Sequence, residues 1–318
     1  MSQDTTLTDF NTGGESDSDE GREEIDRPAM GAETRIDDSG AYTTPEYTTD
    51  GDPLPTIHTP PANCLSFTVS APVAHFRKVE TSTTRLTYGL PPRTTINGML
   101  AAMLGLEVNS YYELFNLTNS ALSINVETPL REMSMPIKHR NTDTERMTAE
   151  SGGGLTLEYE KHPAEMDGDE EKLTQRVAHT VLRDVSYRIN VWLNSEPHYN
   201  ELRDRLEDGE SYYTPSLGLS ECLASISYHG EFSPTPVEAD TTVEVDSAAP
   251  ASAGDLNITP DTALTREQTP AEMEQVDKSF VTRRTTAYTT YQYRENGEAI
   301  PVTTDHAATV DGQTVIFK

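Results

Sequence analysis

The segment HFRKVETSTTRLTYGLPPRTTINGMLAAMLG, residues 75–105, has a basic beginning and an apolar end. Near the end Ile96, Met99, Leu100, Met103 and Leu104 fall at i, i+3, i+4, i+7 and i+8, one stripe of an amphipathic helix. Pro91 and Pro92 precede it, Thr94 or Thr95 is placed to cap it, and Gly105 stands where a C′ glycine ends a helix. Gly98 inside the helix costs about 1 kcal/mol in propensity. A backbone that passes close to a sheet or a ligand would explain it. Ahead of the helix, His75, Arg77, Lys78, Arg85 and Arg93 face a single acid, Glu80.

On either side the chain alternates. Leu65, Phe67 and Val69 predict a half-buried strand before the basic loop. Leu122, Ile124 and Val126 predict a second strand, and Val185, Tyr187, Ile189, Val191 and Leu193 a third within 175–194. Leu202 and Leu206 mark a short helix over 198–207, and Cys222, Ala224, Ile226 and Tyr228 a fourth strand. The order strand, helix, strand, strand, helix, strand predicts an α+β, ferredoxin-like (RRM-like) domain over 62–232, with both helices on one face of the sheet.

The flanks differ in composition. Residues 1–61 are acidic with few clustered apolar residues, which predicts a disordered tail. Residues 131–162 are polar and glycine-punctuated, which predicts an inserted hairpin that projects from the domain. Its first half carries Arg131, Lys138, His139, Arg140 and Arg146. Residues 233–274, rich in Pro, Ala, Thr and Asp, read as a flexible linker, and 275–318 as a small C-terminal β region. There Arg283, Arg284 and Arg294 interleave with Phe280, Tyr288, Tyr291 and Tyr293. That pattern fits either contact with single-stranded RNA or an ordinary tyrosine-rich strand pair.

The chain of 318 residues carries 53 acids against 24 bases, and six of the bases are lysine. A surface so acidic and poor in lysine suits a cytoplasm at molar salt, where the Debye length is about 3 Å and self-repulsion is screened. Counterion release fades at such salt, so an RNA site there leans on stacking, hydrogen bonds and shape. Local basic islands, not net charge, then mark the site. Cys64 and Cys222 make neither a disulfide framework nor a zinc cluster. The histidines form no metal-ligand spacing. There is no phosphate-binding glycine loop, signal peptide or membrane-length apolar run. No cofactor or metal is expected.

Three blocks carry a resemblance: Ala74-HFRK, Thr87-YGLPPRTTINGMLAAMLG and Tyr213-TPSLGLSECLASI. They resemble the Cas-five subunits of type I CRISPR effector (Cascade-type) complexes, in their I-B haloarchaeal form, within the RAMP superfamily of RNA-binding proteins. The resemblance implies a ferredoxin-like domain with a projecting β-hairpin thumb and a small C-terminal β domain. It implies a cytoplasmic antiviral-defence subunit that binds the 5′ handle of the guide crRNA. Its implied neighbours are the first backbone RAMP subunit and the large subunit of the complex. Arg77 and Lys78 match the basic loop after the first strand, and Arg93 to Gly98 match the start of the helix near the handle. The hairpin from Arg131 matches the thumb by position and length.

Two functions follow as expectations. One is a non-catalytic RNA-binding and assembly subunit, without membrane or small-molecule substrate. His75, Arg77, Lys78, Arg85, Arg93, Arg131, Lys138, Arg140, Arg283 and Arg284 would contact RNA, with Thr94 and Thr95 offering N–H groups at the helix start. The other is a metal-independent endoribonuclease that processes the guide precursor, with Tyr88, Lys138 and His139 for acid–base work. Lys138 and His139 are adjacent, so on a strand they point to opposite faces.

Overall fold

The computed structural model describes residues 59–79, 84–140, 174–238, 241–257, 263–275 and 283–318, with two short strands before them. Those strands, β1 (Arg35–Ile36) and β2 (Tyr42–Thr43), pair antiparallel in a separate N-terminal unit that ends at Pro45. The remainder of the tail expected at 1–61 lies outside the described residues up to position 58, and so does 141–173, which contains Arg146.

In the second unit the order is β3 (Cys64–Ala74), β4 (Arg77–Val79), β5 (Thr84–Thr87), α1 (Arg93–Leu104), β6 (Ser120–Val126), β7 (Glu132–Arg140), β8 (Thr174–Leu193), α2 (Glu196–Asp208) and β9 (Ser225–Phe232). Four of these strands lie side by side as β6-β8-β3-β9, each antiparallel to its neighbour. One face of the sheet carries Leu65, Phe67, Val69, Leu122, Ile124, Tyr187, Ile189 and Val191, buried against Ile96, Leu100 and Met103 of α1 and Leu202 of α2. Each such large apolar side chain contributes about 1.5–3 kcal/mol by leaving water.

The helix starts two or three residues earlier than its threonines suggest. Pro92 is the N-cap, with φ −54° and ψ 145°, and no side chain caps the helix. Thr94 and Thr95 lie within the first turn. Gly105 ends α1 in the left-handed region at φ 71°. Gly98 does not face the sheet: the nearest atom to a Cβ there is the Tyr111 hydroxyl, 3.4 Å away. Cys64 and Cys222 are both buried free thiols, but Cys222 sits in the loop before β9 rather than in a strand.

β8 has 20 residues and serves two purposes. Its second half is a sheet strand. Its first half, Thr174–Leu182, is the arm that pairs with β7, from Glu132↔Leu182 to Arg140↔Thr174. The projecting hairpin thus returns through 174–182 rather than closing by 162. The halves meet at Asp184, a non-glycine residue at φ 53°. There Thr128 Oγ1 accepts the Ser186 N–H (2.9 Å) and donates to the Asp184 carbonyl (3.1 Å), which replaces a ladder rung. On the opposite side of β8, the two-residue Thr84–Arg85 segment of β5 pairs parallel with Ala178–His179, and β4 pairs with β5.

The expected linker at 233–274 is instead built of strands: β10 (Thr235–Pro236), β11 (Thr241–Val245), β12 (Ala249–Pro250), β13 (Asp255–Leu256) and β14 (Thr265–Gln275). They join β15 (Arg283–Tyr293), β16 (Ile300–Thr304), β17 (Ala307–Val310) and β18 (Gln313–Ile316) in three small sheets ordered β10-β17-β18, β11-β16-β13 and β12-β15-β14. Their inward residues include Ala249, Ala253, Glu267, Thr269 and Ala271, small or polar types that resemble linker composition. The β14–β15 ribbon lies against α1 and sends Tyr291 and Tyr293 into the main core. β17 and β18 cover part of the other sheet face, where Val310, Val315 and Phe317 pack on Cys64, Ala121 and Trp192.

Candidate nucleic-acid interface

The hairpin sets like charges opposite one another. Arg131 and Arg183 face each other across its base, where the Arg183 N–H donates to the Arg131 carbonyl (2.9 Å). Lys138 is registered with Arg176 farther out, and Met135, His179 and Arg85 form one row across β7, β8 and β5. Arg131 and Lys138 are exposed, and Arg183 is half exposed with the Asp184 carboxylate 3.3 Å away. Opposed like charges destabilise a strand pair. In a chain with twice as many acids as bases, the register thus gathers Arg131, Arg183, Lys138 and Arg176 on one hairpin. Arg183 and Arg176 were not singled out from the sequence because only strand register brings them opposite Arg131 and Lys138. His139 and Arg140 are registered with Gln175 and Thr174.

At the root of the hairpin the basic loop divides. Arg77 is exposed and Arg85 half-buried. Lys78 reaches over the Tyr88 ring, 5.3 Å from its centroid, and its Nζ lies 3.0 Å from Glu267 Oε1. His75 is no surface contact: it is 1% exposed, and its Nδ1–H donates to the Thr180 carbonyl (2.8 Å). Its ring lies 5.0 Å from that of His179, and its Nε2 is buried without a hydrogen bond. Burial, aided by Arg77 and Arg85, holds the His75 imidazolium below its ordinary pKa of 6.5.

Arg93 has 0% exposure and cannot touch RNA. Its guanidinium donates to the main-chain oxygen of Lys318, to the Ser120 carbonyl (2.8 Å) and to Ser120 Oγ (2.6 Å). Burial lowers its pKa to about 10, still a cation at neutral pH. Thr94 and Thr95 are half-buried, and the Thr95 N–H already donates to the Pro92 carbonyl (2.8 Å). The anion that N–H groups near this helix start invite is internal: Glu267 Oε2 accepts from Gly89 N–H (2.9 Å) and Leu90 N–H (3.2 Å).

The cations and aromatics of β15 also separate. Tyr291 and Tyr293 point into the core, while Tyr288 stays 44% exposed. Arg284 is ion-paired with Glu274, Arg294 with Glu298, and Arg283 is exposed. Phe280 lies outside the described residues. Of the expected acid–base residues, Tyr88 follows β5, which pairs with Ala178–His179 on one edge of β8, while Lys138 is registered with Arg176 on the other edge. Tyr88 is itself buried, and burial raises its hydroxyl pKa to about 12.

The loop of the third sequence block joins this root. His75 N–H donates to the Leu217 carbonyl (3.2 Å), and Tyr212 and Tyr213 N–H groups donate to the Met103 and Ala102 carbonyls at the end of α1 (both 3.1 Å). Gly218 has φ 92°, and a Cβ there would lie 1.9 Å from the His75 carbonyl oxygen. That approach accounts for the glycine in the block. Among the described residues no group of three His, Cys, Asp or Glu side chains could hold a metal, and no helix is long and apolar enough to cross a membrane.

Residues 64–297 match the family described as CRISPR-associated protein (Cas_Cas5). The chain belongs to that family. Solved structures similar to it include a CRISPR RNA-guided surveillance complex chain, at 14% identity over 76% of this chain and 92% of that one (TM-score 0.41). A CRISPR protein from Archaeoglobus fulgidus is similar at 12% identity over 80% and 98% (TM-score 0.42). A chain of a Type III-B Cmr-beta complex bound to cognate target RNA and AMPPnP is similar at 9% identity over 74% and 86% (TM-score 0.35). No curated protein sequence matches the chain.

Proposed function

We propose that this Cas5-family chain is a non-catalytic subunit of a type I-B Cascade-type effector complex in a salt-adapted cytoplasm. It grips the 5′ handle of the guide crRNA and contacts the backbone RAMP subunit and the large subunit. The β6-β8-β3-β9 order, with α1 between β3 and β6 and α2 between β8 and β9, supports a ferredoxin-like RAMP domain. The hairpin of β7 and the first half of β8 is its thumb. One observation carries the RNA reading: the like-charged rungs Arg131/Arg183 and Lys138/Arg176 on that hairpin. The separation of Tyr88 from Lys138 argues against the endoribonuclease reading.

The test is incubation of the purified protein with its repeat RNA in molar salt and chelator. Binding without cleavage, weakened in Arg131→Ala/Lys138→Ala, is the expected result. Cleavage that disappears in His139→Ala would overturn the non-catalytic reading, and absence of RNA binding would overturn the RNA reading.

A further inference from the structure

We propose that Glu267, on β14, is the positioning residue of the RNA site: it fixes Lys78 across the Tyr88 ring and so makes the C-terminal β region part of that site. This rests on the RNA-binding reading above. The carboxylate is almost buried, its side chain 6% exposed, while the Lys78 side chain is 42% exposed. The surface therefore presents the ammonium and hides the acid.

The two carboxylate oxygens divide the work. Oε1 takes Lys78 Nζ (3.0 Å). Oε2 takes Gly89 N–H (2.9 Å), Leu90 N–H (3.2 Å) and the Tyr293 hydroxyl (3.1 Å). Tyr187 closes the network, its hydroxyl donating to the Gly89 carbonyl (2.6 Å). Gly89 leaves room for this arrangement, since a Cβ there would lie 2.4 Å from the Tyr293 hydroxyl oxygen. Glu267 thus holds the turn before α1 with one oxygen and aims a lysine with the other.

An ammonium has three donors. One is spent on Glu267, the Tyr88 ring supports the head, and the outward side remains for a phosphate oxygen. A lysine already held in place loses less side-chain freedom on binding than a loose one. In molar salt, where counterion release is weak, such preorganisation replaces bulk charge.

Glu267→Gln separates the two oxygens' roles. The amide keeps one oxygen for the Gly89 and Leu90 N–H groups and turns its NH2 toward Lys78, which it cannot bind. A double-mutant cycle on RNA affinity reads the coupling. Lys78→Ala is expected to weaken binding about tenfold in the wild-type background and under about threefold in Glu267→Gln. Equal factors in both backgrounds, or tighter binding by Glu267→Gln alone, would overturn the proposal. A second readout needs no RNA. With six lysines in the chain, acylation of Lys78 can be followed by mass spectrometry. Faster acylation in Glu267→Gln than in wild type supports the pinning, and equal rates overturn it. Pinning seen without any RNA binding would locate the failure in the RNA reading and remove the site that Glu267 is proposed to serve.

Discussion

Arg93 and Arg131 carry the same guanidinium and lie in segments that both read as basic. Arg93 ends with no exposed surface and four main-chain or hydroxyl oxygens around it, whereas Arg131 ends in water opposite Arg183. The difference lies in what surrounds each guanidinium. Beside α1 the main-chain oxygens of Ser120 and Lys318 are turned inward, and the buried Arg93 donates to both, although the Lys318 oxygen also takes the Leu122 N–H (2.9 Å). On the hairpin the strand ladder is already complete, so the arginines there have no folding duty. Arg93 is hydrogen-bonded from within the fold, whereas Arg131 faces Arg183 at the surface.

The largest effect that tests this contrast is on stability. Arg93→Met is expected to cost roughly 3 kcal/mol, because it removes several charge-assisted hydrogen bonds to buried oxygens. Arg131→Ala is expected to stay within about 0.5 kcal/mol. Denaturant melts in molar salt check both, and an Arg93→Met protein as stable as wild type would erase the distinction.

The loop packed at the hairpin root comes next. Gly218→Ala forces a Cβ onto the His75 carbonyl oxygen at φ 92°, with an expected loss of about 1–3 kcal/mol. If that variant melts like the wild type, the third sequence block does not pack on the root as described.

On the exposed side, Arg131→Ala/Lys138→Ala is expected to leave the melt unchanged or slightly raised, since it relieves the opposed charges. The salt slope of RNA binding should fall by about 1 for each phosphate no longer neutralised. An unchanged slope would detach the hairpin from the RNA.

A smaller, pH-dependent term separates His75 from the surface bases. Its folded pKa lies below its ordinary 6.5, so the unfolded chain takes up this proton first as pH falls. The stability it contributes is complete above about pH 6.5 and is lost as pH falls through the folded value. Thermal melts between pH 7.5 and 5.5 should therefore fall more steeply in wild type than in His75→Asn, which retains a donor toward Thr180. Parallel curves would show that His75 is solvated.

The strand–helix alternation was legible because the inward residues are large: Leu65, Phe67, Ile124, Tyr187 and Ile189 announce both period and face. The β region after 275 was legible too, but the strands within 233–274 were not, because Glu267, Thr269 and Ala271 point inward where apolar residues are expected. The basic residues of the hairpin were legible singly, but their rungs depend on a register set by β8 some 40 residues away. Arg93 and His75 turned out buried for one reason: composition shows that a cation or imidazole is present, and only packing shows whether a buried oxygen accepts from it.

Gly98 gives the smallest effect. It lies on the half-exposed side of the same helix whose first residue is Arg93, and a Cβ there meets only the Tyr111 hydroxyl at 3.4 Å. That oxygen is the end of a side chain and can move by a few tenths of an ångström. An alanine in a helix interior gains up to about 1 kcal/mol over glycine. Gly98→Ala should therefore be neutral to slightly stabilising, with RNA affinity unchanged. A loss of RNA binding at undiminished stability would mean that the ligand, not the sheet, approaches the helix at Gly98, and the interface would then extend from the hairpin along α1.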